Sequence, residues 1–155
     1  MKIAILNGPN LNLLGKREPA IYGTRSMEQV LLDIQRAYPE LYLEYHQSNH
    51  EGDLIDWMQE FGGNLGEAVN DVAGVAGIVL NAGGYTHTSV ALRDAVVCSQ
   101  VPVVEVHISN IAEREEFRRV SLLTDVCQHS IIGQGMDGYT QAVAWILTQI
   151  DKANE

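Results

Sequence analysis

Five short strand-like runs alternate along this chain with stretches of helical spacing, and that alternation limits the fold more than any other feature. The runs are Lys2 to Leu6, Leu41 to His46, Val75 to Leu80, Val101 to Val106 and Ser130 to Ile132. The third is apolar throughout, as in a strand buried on both faces. Ser26-Met-Glu-Gln29 resembles a capping box and opens a helix with Val30, Leu31, Ile34 and Ala37 on its apolar faces, ended by Pro39. Gly52 to Phe61 reads as a second helix, with Leu54, Ile55, Trp57 and Met58 as core candidates. Gly62-Gly63-Asn64 breaks it, and a short helical turn is expected through Ala68 and Val69. Thr88 or Thr86 is expected to cap a helix through Val90, Leu92, Ala95 and Val96. A last helix, about Tyr139 to Lys152, carries Ala142, Val143, Ile146, Leu147 and Ile150 on one face.

Parallel strands joined through helices require right-handed crossovers, with helices covering both faces of the sheet. The expectation is an α/β fold, a flavodoxin-like three-layer sandwich around a five-stranded parallel sheet in the order 2-1-3-4-5. At 155 residues, one domain over 1–155 can bury a sufficient core. Such a sheet binds ligands beyond the carboxyl ends of its strands, between the first and third.

The strand exits agree with that rule. The first leaves through Asn7 and Asn10, the second through Ser48, Asn49 and Glu51. The third leaves through Asn81, Gly83, Gly84, Thr86 and His87; the fourth through Ser109 and Asn110; the fifth through Gly133, Gly135 and Gly138. Glu105 and His107 are two apart in the fourth strand and so share one face. A carboxylate beside an imidazole makes His107 a candidate acid near neutral pH. His46, His50 and His129 lack such a setting and read as structural or solvated.

The first connection is unusually long, NGPNLNLLGKREPAIYG over residues 7–23. Long connections of this kind are commonly lids or binding loops. Leu11, Leu13, Leu14, Ile21 and Tyr22 give it apolar residues of its own to pack, so it reads as a folded lid, mobile over about 15–24 and hinged at Gly15 and Gly23. A free tyrosine, with a pKa near about 10, is a poor base at neutral pH unless a cation is held close. Arg17, on the same lid, is the natural cation for Tyr22. The residues alone leave two readings of Tyr22 open: a base, or a side chain that packs the lid shut.

Several classes are disfavoured. A formal net charge of −10 argues against nucleic acid, yet admits a small anionic substrate if the few cations converge. No apolar run approaches the roughly 20 residues needed to cross a bilayer, and the N-terminus enters a strand directly, so a cytoplasmic protein is expected. Cys98 and Cys127 lack metal or redox spacing and read as reduced, buried thiols. Gly133-Gln-Gly135-Met-Asp-Gly138 matches a dinucleotide fingerprint, but the 17 residues after it cannot supply the next strand and its acid. Asp94, His87 and His107 have no recognised metal spacing, so no metal is expected. Asn7-Gly-Pro-Asn10, where Pro9 removes a donor, is a poor phosphate cradle for a flavin-binding protein. A non-catalytic assembly scaffold of the same fold is the other alternative.

The segments NGPNLNLLGKREPAIYG, QSNHEGDLIDW, NAGGYTHTSVALRDA, VPVVEVHISNIAEREEFRRVS and GQGMDGY, in that order, resemble the type II 3-dehydroquinate dehydratases over most of the chain. The resemblance implies conversion of 3-dehydroquinate to 3-dehydroshikimate through an enolate, without metal or organic cofactor, in a dodecamer of four trimers. It serves the shikimate pathway or quinate breakdown. By resemblance Tyr22 is the base and Arg17 holds it ionised, while Asn10 positions a water that stabilises the enolate. His107, oriented by Glu105, protonates the departing hydroxyl. Asn81, Ser109 and the backbone N–H of Ile108 take the substrate carboxylate and a nearby hydroxyl. His87 and Arg118 bind ring hydroxyls, Asp94 reaches in from a neighbouring subunit, and Arg114 is left outside direct contact with substrate. Lys2, Lys16 and Lys152 are the only lysines, and none suits the Schiff-base route to the same product. A Gly-rich insertion at about 61–75 departs from the family pattern, far from the expected site, and bears on subunit contacts beyond the trimer.

Overall fold

The computed structural model describes residues 1–64 and 74–155. In chain order it contains β1 (Lys2–Asn7), α1 (Pro19–Tyr22), α2 (Met27–Ala37), β2 (Tyr42–Gln47), α3 (Glu51–Phe61), β3 (Ile78–Asn81), α4 (Val90–Cys98), β4 (Val103–His107), β5 (His129–Ile132) and α5 (Asp137–Asn154). The strands form one parallel sheet in the order β2-β1-β3-β4-β5, as the alternation predicts. Alternate side chains divide between two cores. Ile3, Ile5, Val79, Val104 and Val106 pack with α2 and α5, whereas Ala4, Leu6, Ile78, Leu80 and Val103 pack with α3 and α4.

The sequence expectation for α2 is met in detail. Ser26 Oγ accepts from Gln29 N–H, and the Gln29 side chain accepts from Ser26 N–H, so both partners of the capping box are present. Such a cap stabilises a helix by about 1 kcal/mol. The cap of α4 is a correction: it is Ser89, whose Oγ accepts from Leu92 N–H at 2.9 Å. Thr86 lies on a 3-10 turn before the helix, and its hydroxyl is directed to Glu105 instead.

Other boundaries shift by a few residues. β3 begins at Ile78, just after Gly77, where the backbone passes close to α5; a Cβ there would lie 2.7 Å from Ile146. β4 begins after Pro102, whose carbonyl accepts from Ile78 N–H. Cys98 is exposed at the end of α4 rather than buried, and Cys127 is half-buried, where burial pushes its thiol up to about 12. The turn expected through Ala68 and Val69, and most of the 61–75 insertion, lie outside the described residues. Among the described residues no helix is long and apolar enough to cross a membrane.

The lid is a folded connection. A 3-10 turn, Leu11–Leu13, is followed by the single-turn α1. Leu11 and Leu14 are buried in the core under α2. Gly15 and Gly23 have φ of +84° and +76°, a region that side-chain-bearing residues avoid. Just beyond the lid, Arg25 bonds Asp137 at 2.7 Å and Asp33 at 2.6 Å, tying the exit of this segment to α5 and α2.

Candidate active site

The ends of β1, β3 and β4 meet at one edge. Asn7 and Asn81 are register partners there, and His107 is the last residue of β4. Gly8 makes the junction close: a Cβ on it would stand 2.3 Å from the Ala82 carbonyl oxygen. The chain therefore turns directly over the exit of β3. Asn10 takes a left-handed conformation (φ 67°) that asparagine tolerates, and its N–H donates to Asn49 Oδ1 at 2.9 Å.

A cavity of about 210 Å³ opens over this edge. Asn10, Arg17, Tyr22, Asn81, His87, His107, Ile108, Ser109 and Arg118 all line it, so the sheet brings nine of the expected site residues together. Arg114 lines it too. Three of the chain's ten Lys and Arg residues, Arg17, Arg114 and Arg118, thus line one cavity, with the Glu18 and Glu115 carboxylates paired to them.

Glu105 lies behind His107 and is 1% exposed. Burial alone would oppose its charge. His107 Nε2 at 2.5 Å, Ser121 Oγ, Thr124 Oγ1 at 2.7 Å, Ser130 Oγ at 2.7 Å and Thr86 Oγ1 at 3.2 Å all direct hydrogen bonds to it. Against the burial cost, the His107 bond and charge and the Ser121 and Thr124 hydroxyls hold its carboxyl down to about 2. His107 therefore has one ring nitrogen, Nε2, held on the Glu105 carboxylate, while its other, Nδ1, makes no hydrogen bond among the described residues. No spacing rule in the sequence marks the hydroxyls, which come from the turn after β3 (Thr86), the connection between β4 and β5 (Ser121 and Thr124) and β5 itself (Ser130).

His87 directs Nδ1 to the Val120 carbonyl at 2.7 Å, which makes that nitrogen the donor. Desolvation, against the bond to the Val120 carbonyl, lowers its pKa, which favours the neutral imidazole. Arg118 Nε lies 3.2 Å from the Glu115 carboxylate.

The surroundings of Tyr22 differ from the sequence expectation. The cation hydrogen-bonded to its phenol oxygen is Arg114, through Nη1 at 3.4 Å, and the same atom donates to Ser109 Oγ at 3.1 Å. Arg17 stands over the ring face, 4.8 Å from its centroid, with its guanidinium paired to Glu18 at 2.7 Å. The chain turns back after β4 through the 3-10 turns Ile111–Glu113 and Glu116–Arg118, and this reversal carries Arg114 to the cavity. A run of charges after a strand gives no sign of it.

Asp94 is exposed on α4 and does not line the cavity of its own chain. None of the three lysines lines it. Among the described residues no cluster of three or more His, Cys, Asp or Glu is placed to hold a metal.

The family described as Dehydroquinase class II matches residues 1–147. A 3-dehydroquinate dehydratase of an Exiguobacterium species is 49% identical over 92% of this chain and 92% of its own. That of Halothermothrix orenii is 43% identical over 99% and 98%. The crystal structure of the type II dehydroquinase from Butyrivibrio crossotus superposes with a TM-score of 0.84 at 45% identity, covering 95% of this chain and 97% of its own. By fold, by the length of the match and by identity, the chain belongs to the class II dehydroquinase family.

Proposed function

We propose that this chain dehydrates 3-dehydroquinate to 3-dehydroshikimate by a cofactor-free elimination through an enolate. The enzyme class is that of the family, a 3-dehydroquinate dehydratase, a carbon–oxygen lyase acting in the shikimate pathway. The observation that carries the mechanism is a phenol flanked by two guanidinium groups in the same cavity as an imidazole backed by a buried carboxylate.

Tyr22 removes the proton alpha to the ketone, with Arg114 at its phenol oxygen and Arg17 over its ring. Electrons pass to the ketone oxygen, where a water held by Asn10 stabilises the enolate. As the enolate collapses, the beta hydroxyl leaves with a proton from His107, whose imidazolium Glu105 stabilises. Asn81, Ser109 and the Ile108 N–H take the carboxylate and a neighbouring hydroxyl, and His87 and Arg118 take the ring hydroxyls. Asp94 completes the site from a neighbouring subunit of a trimer, and the trimers assemble into a dodecamer in the cytoplasm. The absence of lysine from the cavity wall favours this route over a Schiff base. The same reaction would also serve quinate breakdown.

The test is ultraviolet absorbance of a conjugated enone on adding 3-dehydroquinate to the purified protein. A rise is expected from the wild type. Tyr22→Phe, folded by circular dichroism, should lower the rate by about 10²- to 10⁴-fold. A flat trace from the wild type would sink the reading, and near-normal turnover in Tyr22→Phe would remove the base.

A further inference from the structure

Under the cavity floor runs a buried series of hydrogen bonds in which no member is a group of the elimination itself. Tyr139, in the first turn of α5, is fully buried. Its hydroxyl donates to Asn7 Oδ1 at 2.9 Å and accepts from Asn81 Nδ2 at 2.9 Å. Asn7 Nδ2 in turn meets the Tyr45 hydroxyl at 3.5 Å, and Asn81 Oδ1 accepts from Gly83 N–H at 3.2 Å.

One group sets the direction of every proton in the series. A backbone N–H can only donate. Gly83 therefore requires the oxygen of the Asn81 amide, which turns the Asn81 nitrogen toward Tyr139. The Tyr139 oxygen accepts there, so its own proton goes to Asn7 Oδ1, and the Asn7 nitrogen is left for Tyr45. Burial pushes the Tyr139 phenol above the ordinary tyrosine range, so the proton it donates stays in place. Asn81 lines the cavity with one Nδ2 proton engaged at Tyr139 and the second unmatched among the described residues.

We propose that Tyr139 is a positioning residue: Gly83 N–H sets which way the Asn81 amide faces, and the Tyr139 hydroxyl anchors its nitrogen, so that Asn81 is held where it meets the substrate only as a hydrogen-bond donor. The oxygen it addresses belongs to a carboxylate or hydroxyl group, which rests on the dehydratase reading given above. A reversed amide would set oxygen against that oxygen and leave Gly83 N–H facing a donor. The Asn81 contact is made alike in the bound substrate and the transition state, so its loss appears in KM rather than kcat.

Tyr139→Phe keeps the ring and removes the hydroxyl. The expected result is a KM raised about tenfold with kcat changed by less than about threefold. Tyr45→Phe removes a hydroxyl of the same series one step further from Asn81 and should leave KM at the wild-type value. A merely structural Tyr139 would lower the melting temperature and leave KM unchanged, and that result overturns the proposal. If Tyr139→Phe does not fold, site-specific replacement of Tyr139 by mono- and difluorinated tyrosine keeps the shape and weakens the oxygen as an acceptor. KM climbing with fluorine content supports the proposal, and a flat series overturns it. Wild-type protein that yields no enone sinks the dehydratase reading and this proposal together; normal wild-type activity with an unchanged KM in the variants sinks this proposal alone.

Discussion

The Nη1 atom of Arg114 bridges the phenol oxygen of Tyr22, 92 residues away in sequence, and the hydroxyl of Ser109. The Arg114 guanidinium has a raised pKa, first because of its bond to Tyr22 and against some desolvation. Arg17 acts on the same ring from its face.

Arg114→Ala should lower kcat/KM by about 10- to 100-fold, the loss of one hydrogen bond to a charged group. Arg114→Lys should recover only part of this, because a flexible ammonium lacks the fixed planar geometry that aims the Nη1 protons at Tyr22 and Ser109. Arg17→Ala should also slow turnover. Steady-state kinetics on the three variants decides it; wild-type rates in Arg114→Ala would remove this contact from the mechanism.

Glu105 predicts a pH dependence of stability. Its carboxyl lies near 4.5 when unfolded and about 2 when folded, so the folded state favours the anion. That contribution is complete above about pH 4.5 and is lost as the pH falls through about 2, and linkage puts it at roughly 3 kcal/mol. Urea denaturation at a series of pH values should show the wild type losing this stability across the window, with a flatter profile for Glu105→Gln. Parallel profiles would show that the hydroxyl cage does not hold the charge.

Gly8→Ala places a methyl against the Ala82 carbonyl, 2.3 Å from its oxygen. Separation of the β1 and β3 exits should destabilise the fold by about 1–3 kcal/mol, as overpacking does. It should also raise KM, since Asn10 follows directly. Chemical denaturation together with kinetics tests both halves, and a stable variant of normal KM would contradict the close approach.

Asp94 offers a test of assembly. Tyr22→Phe and Asp94→Ala chains, co-expressed and purified as mixed oligomers, should regain activity that neither parent has if Asp94 completes a neighbour's site. Mixed oligomers as inactive as their parents would confine Asp94 to its own chain. Size-exclusion chromatography of the wild type reads the trimer and dodecamer directly.

Much of the molecule follows from patterns a few residues long. The period-two and all-apolar runs mark five strands, and their separation by helices favours parallel pairing, for which β2-β1-β3-β4-β5 is one of the common orders and the one the structure adopts. The Ser26–Gln29 capping box and the shared face of Glu105 and His107 are equally local, because backbone geometry alone places residues three apart on a helix turn or two apart on a strand. Tertiary structure decided which distant side chains meet. It chose Ser89 over Thr86 as the cap of α4, because Thr86 is drawn to Glu105. It gathered Ser121, Thr124 and Ser130 around the same carboxylate, brought Arg114 to Tyr22, and set Tyr139 between Asn7 and Asn81. These contacts depend on loop paths and on the packing of whole elements, so no short stretch of residues encodes them. They were settled when buried polar groups had to find partners within a closed core.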